Sequence, residues 1–340
     1  MRKRLLLWLV VVVVSACTRQ PNIPLPTLAV LPSETPAPPT QTVEPATATP
    51  LTSPADTATP TTPAPILTPT HITIGDVPAM ERRLNETPIL SNFATGRVRS
   101  IFAVGQGLGN RADTFTTVGD SNTTNGDFLQ PIGMNADLYC DWATYDYLRE
   151  TVGYFSLALN SFTHHSIAAR KGFNSAAVLD PFWATAGACA GGESPLICEY
   201  RTVQPSIAVI MLGGIDINDM TTANYSLNMR AIVQMSIPRG VIPVLTTFVV
   251  LPERDVYERS LEFNMMLLDI AEQEQIPLIN LWAAAQALPD SGIGPDRTHL
   301  KAQVGSFCSF DGAQDRLGGT LRNLLTLQAL EQLRLSVLTR

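Results

Sequence analysis

The run Ser206-Ile207-Ala208-Val209-Ile210-Met211-Leu212 is apolar after its first residue and ends at Gly213-Gly214. Successive side chains of a strand point to opposite faces, so a run apolar throughout needs cover on both sides; this predicts an inner strand of a parallel sheet. Val241 to Val250 repeats the pattern, Pro277 to Leu281 gives a shorter version, and Thr114 to Val118 is rich in β-branched and aromatic residues. Between these runs, Ala223 to Ile237 and Arg254 to Gln273 have helical spacing. The first would bury Leu227, Ile232 and Val233 and stop at Pro238-Arg239-Gly240. Strands alternating with helices predict an α/β protein whose mainly parallel sheet is covered by helices on both faces.

Other segments give further expectations. Val98 to Val104 reads as a strand or buried extended segment, Asp141 to Gly153 as a helix ending at a glycine cap, and Thr320 to Leu338 as a closing helix with Leu321, Leu324, Leu325 and Leu335 on its buried face. Met229, Met235, Met265 and Met266 read as core filling. Gly105-Gln106-Gly107-Leu108-Gly109 is not a dinucleotide fingerprint: its spacing is G-x-G-x-G, and a strand is expected after it where a helix is required. His164 and His165 are adjacent and face different directions, so at most one could share a site.

The amino terminus has a different character. Basic Met1 to Arg4, apolar Leu5 to Val14 and Ser15-Ala16-Cys17 form a secretory signal pattern, and Val-Ser-Ala-Cys resembles a bacterial lipobox. In such a sequence Cys17 becomes the first mature residue and carries acyl chains, which anchors the protein to a membrane. Residues 18–70 hold fourteen of the 26 prolines, with abundant Thr and Ala, and are expected to be an extended, disordered linker on the order of 100 Å long. Residues 71–340 are then one folded domain, on the outer face of a bacterial membrane. The formal charge of −7 offers no basic footprint for nucleic acid. Export makes disulfides available to Cys140, Cys189, Cys198 and Cys308, and three connectivities are possible. We favour Cys189 with Cys198, closing a short loop, and Cys140 with Cys308, tying the first half of the domain to the last. No zinc-like spacing is present, so no metal is expected.

Candidate chemistry lies at two places. Gly119-Asp120-Ser121 follows the Thr114 strand and sets a hydroxyl outside a strand's carboxyl end, where open α/β sheets bind ligands. Asp296 and His299 are three apart, a spacing that allows a carboxylate to orient one imidazole nitrogen while the other accepts a serine proton. Gly119-Asp120-Ser121 and Asp296-x-x-His299, separated by βα units, resemble the first and last blocks of the SGNH (GDSL) hydrolase family over roughly residues 96–335.

The resemblance implies a flavodoxin-like three-layer α/β/α sandwich and a Ser121, His299, Asp296 triad that hydrolyses carboxylic esters without a cofactor. The substrate would be a small-molecule or glycan ester, and the protein is expected to be a monomer. It also implies that Gly172 lies where a backbone amide helps bind the oxyanion. The family's third block, Gly-x-Asn-Asp, is matched by Gly213-Gly214-Ile215-Asp216, so Ile215 replaces the Asn that supplies a further oxyanion donor. Asn218 is a candidate substitute. The alternative is a surface protein of the same fold that binds carbohydrate or lipid with little or no turnover.

Overall fold

The computed structural model describes residues 75–338, which belong to one compact unit. The sequence expectations for the signal segment, Cys17 and the linker lie outside these residues. Seven strands are present among them: β1 Leu90–Ser91, β2 Arg111–Gly119, β3 Cys140–Asp141, β4 Pro205–Met211, β5 Ile242–Thr246, β6 Leu278–Ile279 and β7 Cys308–Ser309. The main sheet has the order β1-β6-β5-β4-β2. All its pairings are parallel except β1 with β6. The apolar run at 206–212 accounts for β4, which is buried at all seven positions, so helices cover both faces of the sheet.

Beyond β2, the segment around Ala168 to Arg170 runs parallel to the strand end through a bridge between Gly119 and Ala169. Arg170 N–H donates to Gly119 O at 3.1 Å. Counting this segment as a strand, β2 lies between it and β4; the chain leaves β2 toward this segment and leaves β4 toward β5, in opposite directions, so the sheet reverses between β2 and β4. A doubly wound sheet opens its ligand crevice at the carboxyl end of such a strand.

Gly119, the last residue of β2, has a steric role. A Cβ there would stand 2.2 Å from Thr123 Oγ1 and 2.7 Å from Met211 O, so a side chain would push the turn after β2 away from β4. On the opposite side of the core, Phe115 of β2 meets Phe155 and Phe162 edge-on at 5.4 and 5.1 Å. The helices Thr222–Ser236 and Tyr257–Glu274 pack through Tyr225 and Phe263, stacked at 4.0 Å, and the Tyr225 hydroxyl donates to Leu212 O.

Some local expectations are corrected. Val98 to Val104 lies in the helix Gly96–Leu108, capped at its start by Thr95 and ended by left-handed Gly109. Its apolar residues Val98 and Ile101 are buried at helical spacing, which a short window conceals. The Asp141 to Gly153 helix is a 3-10 turn, Ala143–Leu148, followed by the helix Arg149–Tyr154, so Gly153 is internal. A helix expectation was also missing for Gln130–Tyr139. Leu227 and Leu335 are exposed at 65 and 58%, while Ile232 and Val233 are buried as expected. The closing helix Gly318–Leu333 is buried nearly all round, including Arg322, Asn323 and Thr326.

The disulfides join Cys140 to Cys308 and Cys189 to Cys198. The first spans 168 residues and links β3 to β7, close in sequence to His299; the second spans nine. Because a longer closed loop costs the unfolded chain more entropy, replacing Cys140 and Cys308 by Ser should lower stability by about 2–5 kcal/mol. The corresponding change at Cys189 and Cys198 should cost less, and urea unfolding of the two double variants measures the order.

Candidate active site

The strand ends β2, β4 and β5 open on one side into a cleft lined by Ser121, Asn122, Gly214, Ile215, Phe248, Val250, Arg254, Thr298 and Leu300, with a cavity volume of about 30 Å³. Ser121 begins a single helical turn, Ser121–Thr124, whose cap is Asp120. The Asp120 carboxylate accepts from Asn122 N–H at 2.9 Å. Burial holds that carboxyl above the ordinary range, against the lowering effect of the Asn122 amide and the Arg322 charge.

His299 reaches this turn from a loop held in place by short-range backbone bonds. Gly294 N–H donates to His299 O at 2.8 Å, Arg297 N–H to Gly294 O at 2.9 Å, and Lys301 N–H to Gly292 O at 2.7 Å. Ile293 and Leu300 bridge antiparallel, which turns the chain back on itself. Asp296 Oδ1 accepts the amides of His299 and Thr298 at 3.0 and 3.1 Å. Its Oδ2 lies 2.6 Å from His299 Nδ1, and His299 Nε2 lies 2.8 Å from Ser121 Oγ.

The electrostatics fix the sense of these bonds. The His299 amide, then the His299 ring and the Thr298 amide, hold the Asp296 carboxyl down at about 2. An ionised carboxylate only accepts, so Nδ1 carries the imidazole proton and Nε2 is left to accept from the Ser121 hydroxyl. Because the folded pKa lies below the unfolded value, Asp296 keeps its charge down to about pH 2. The described residues thus contain a serine-hydrolase-type arrangement of hydroxyl, imidazole and carboxylate.

The sequence reading missed the residues that fasten the two halves together. Asn122 Oδ1 accepts Leu300 N–H at 3.1 Å, coupling the serine turn to the histidine loop. Arg322 of the closing helix donates from Nη1 to Asn122 O at 2.8 Å and from Nη2 to Thr123 Oγ1 at 3.1 Å. Its guanidinium lies over the Phe128 ring at 3.7 Å. Burial pulls Arg322 down to about 9, opposed by the Asp120 charge. The adjacent Asn323 accepts Leu129 N–H and donates to the carbonyls of Asp127 and Phe307. The available signal was Arg322-Asn323 within a leucine-rich helix, a polar pair that a buried helix keeps only with partners. Asn122→Ala would leave Leu300 N–H without its acceptor and free the histidine loop. We expect about a tenfold lower kcat, a smaller change in KM and recovery in Asn122→Asp, measured by steady-state kinetics beside thermal unfolding.

The other expected site residues fall as follows. Gly172 follows the segment beside Gly119, has a φ of 82° and is exposed. Neither its amide nor that of Ser121 has an acceptor among the described residues. Ile215 lines the cleft. Asn218 is exposed and donates its side-chain amide to Ile215 O at 3.1 Å; it is not among the residues lining the cleft.

Two further polar pairs lie nearby, the first buried and the second joining a partly exposed His164 to buried Glu199. Asp216 Oδ1 accepts from Ser175 N at 2.8 Å and from Ser175 Oγ at 2.5 Å, and Asn228 also donates to Ser175 Oγ. His164 Nε2 lies 2.8 Å from Glu199 Oε1, which also takes a short bond from Thr116 Oγ1. Glu199 Oε2 accepts Ile167 N–H. These are a Ser-Asp pair without an imidazole and a His-Glu pair bonded to a threonine. Ser175 is fully buried, so it is closed to an external carbonyl.

No family model matches the chain, and no curated protein matches it. Among solved structures, it is similar to LAE5, an alpha/beta hydrolase enzyme from the metagenome of Lake Arreo, Spain, at 14% identity and a TM-score of 0.41, over 65% of this chain and 95% of that one. It is also similar to a GDSL-like lipase from Bacteroides thetaiotaomicron, at 14% identity and a TM-score of 0.40, over 71 and 98% of the two chains. Axe2, an acetylxylan esterase from Geobacillus stearothermophilus, gives 16% identity and a TM-score of 0.41 over 64 and 93%.

Proposed function

We propose that the protein is a serine esterase that cleaves carboxylic esters at Ser121. The observation that carries this reading is the continuous bond path from Asp296 through His299 to Ser121, with the nucleophile among the residues that line the cleft. Ser121 Oγ attacks the ester carbonyl while His299 Nε2 takes its proton, and the imidazolium so formed is held by Asp296. His299 then returns the proton to the leaving alcohol, and water hydrolyses the acyl-serine by the same steps. The unoccupied donors of Ser121 and Gly172 are the groups assigned to the oxyanion. Asn218 would have to exchange its Ile215 partner to join them. The cleft beside Ser121 leaves little free space, which favours a short acyl group, acetyl above longer chains.

A second reading, a surface protein that binds carbohydrate or lipid with little turnover, draws on Ile215, whose side chain offers the oxyanion no hydrogen bond. Hydrolysis of 4-nitrophenyl acetate and octanoate by the full chain and by Ser121→Ala separates the two. The esterase reading predicts cleavage of acetate by the parent alone; equal, background rates in both proteins favour binding. In either case we take Cys17 as the lipid attachment point that places the domain outside the cell. Mass spectrometry of the mature amino terminus tests this, and an unmodified Cys17 would contradict it.

A further inference from the structure

Among the described residues, only two charged side chains line the cleft beside Ser121, Asp120 and Arg254. Asp120 is buried and engaged with the Asn122 amide. Arg254 is half-buried, and among the described residues its guanidinium has neither an ion pair within 4.0 Å nor a side-chain hydrogen bond. The neighbouring acid does not neutralise it: Glu253 Oε1 is bound by Arg297 at 2.7 Å. Asp255 and Glu258 are exposed and do not line the cleft. The walls on either side are apolar, formed by Ile215, Phe248, Val250 and Leu300. Arg254 has no protein partner for an incoming anion to displace, and its planar fork of N–H donors can hold both oxygens of a carboxylate.

We infer that Arg254 forms an anion subsite beside the nucleophile, and that the substrate is an ester whose alcohol part carries a carboxylate. This deepens the esterase reading and rests on it. A single guanidinium, with no second cation lining the cleft among the described residues, matches one negative charge and pairs with both oxygens of a carboxylate; a phosphate dianion would be half compensated. Ser121 and Arg254 line the same partly open cleft, so an ester attacked at Ser121 can extend its alcohol part toward the half-exposed arginine.

The test uses the full chain with 3- and 4-acetoxybenzoate, each against its own methyl ester. The parent is expected to prefer at least one free acid by about tenfold or more in kcat/KM, the effect of a charged hydrogen bond. Arg254→Gln should abolish that preference and Arg254→Lys should restore part of it. An acid-to-ester ratio that is the same in the parent and Arg254→Gln would overturn the inference while leaving the esterase reading in place. If the parent cleaves none of the acetates, that reading fails and the subsite is judged by calorimetry with 4-acetamidobenzoate, the uncleaved amide. Binding weakened about tenfold in Arg254→Gln supports the subsite, and equal or undetectable binding in both proteins overturns it.

Discussion

Ser121→Ala and His299→Ala should each lower kcat for 4-nitrophenyl acetate by about 10⁴-fold or more, and the double variant should be little worse than either single one. Residues that act as one unit are not additive. Without Ser121 there is no oxygen to acylate; without His299 the hydroxyl is a poor nucleophile with no acceptor for its proton. The 2.8 Å contact between Ser121 Oγ and His299 Nε2 makes them such a unit. Asp296→Asn should fall in the same range, because an amide facing Nδ1 can present its N–H and hold the ring in the wrong tautomer. Ser175→Ala provides the contrast. Ser175 is buried and bonded to Asp216, so its loss is expected to show in thermal unfolding before it shows in kcat.

The second large effect is a gain. Ile215→Asn should raise kcat by up to about 10²-fold, the usual worth of one oxyanion donor, with a much smaller change in KM. Ile215 lines the same cleft as Ser121, which makes this position the one where an added amide would serve a developing oxyanion. Steady-state kinetics on 4-nitrophenyl acetate measures the change. A rise in kcat would size the donor that isoleucine lacks; a fall would mean that the apolar wall contributes more to substrate binding than the amide returns to catalysis.

The strands of the sheet were legible because their burial leaves a mark in composition: Ser206 to Leu212 is apolar because helices cover both of its faces. The Gly96–Leu108 helix was not, since Val98 to Val104 contains apolar residues at strand-compatible and helix-compatible positions alike, and its Thr95 cap and Gly109 stop flank that apolar stretch at a distance. Ser121, Asp296 and His299 could be singled out because their chemistry is confined to a few residue types at tight local spacing. The clamp formed by Asn122, Leu300 and Arg322 crosses about 180 to 200 residues of chain, and no local pattern records it. Arg254 was hidden for the same reason: its significance comes from Ser121 and Ile215, distant in sequence, which the fold brings to the same cleft.

The most direct measurement is to treat the full chain with a fluorophosphonate and locate the adduct by peptide mass spectrometry. Such reagents phosphonylate a serine oxygen that a neighbouring base has activated. The account predicts a single adduct on the peptide containing Ser121, formed slowly or not at all in His299→Ala. An adduct on Ser175, or labelling of Ser121 that proceeds equally fast without His299, would contradict it.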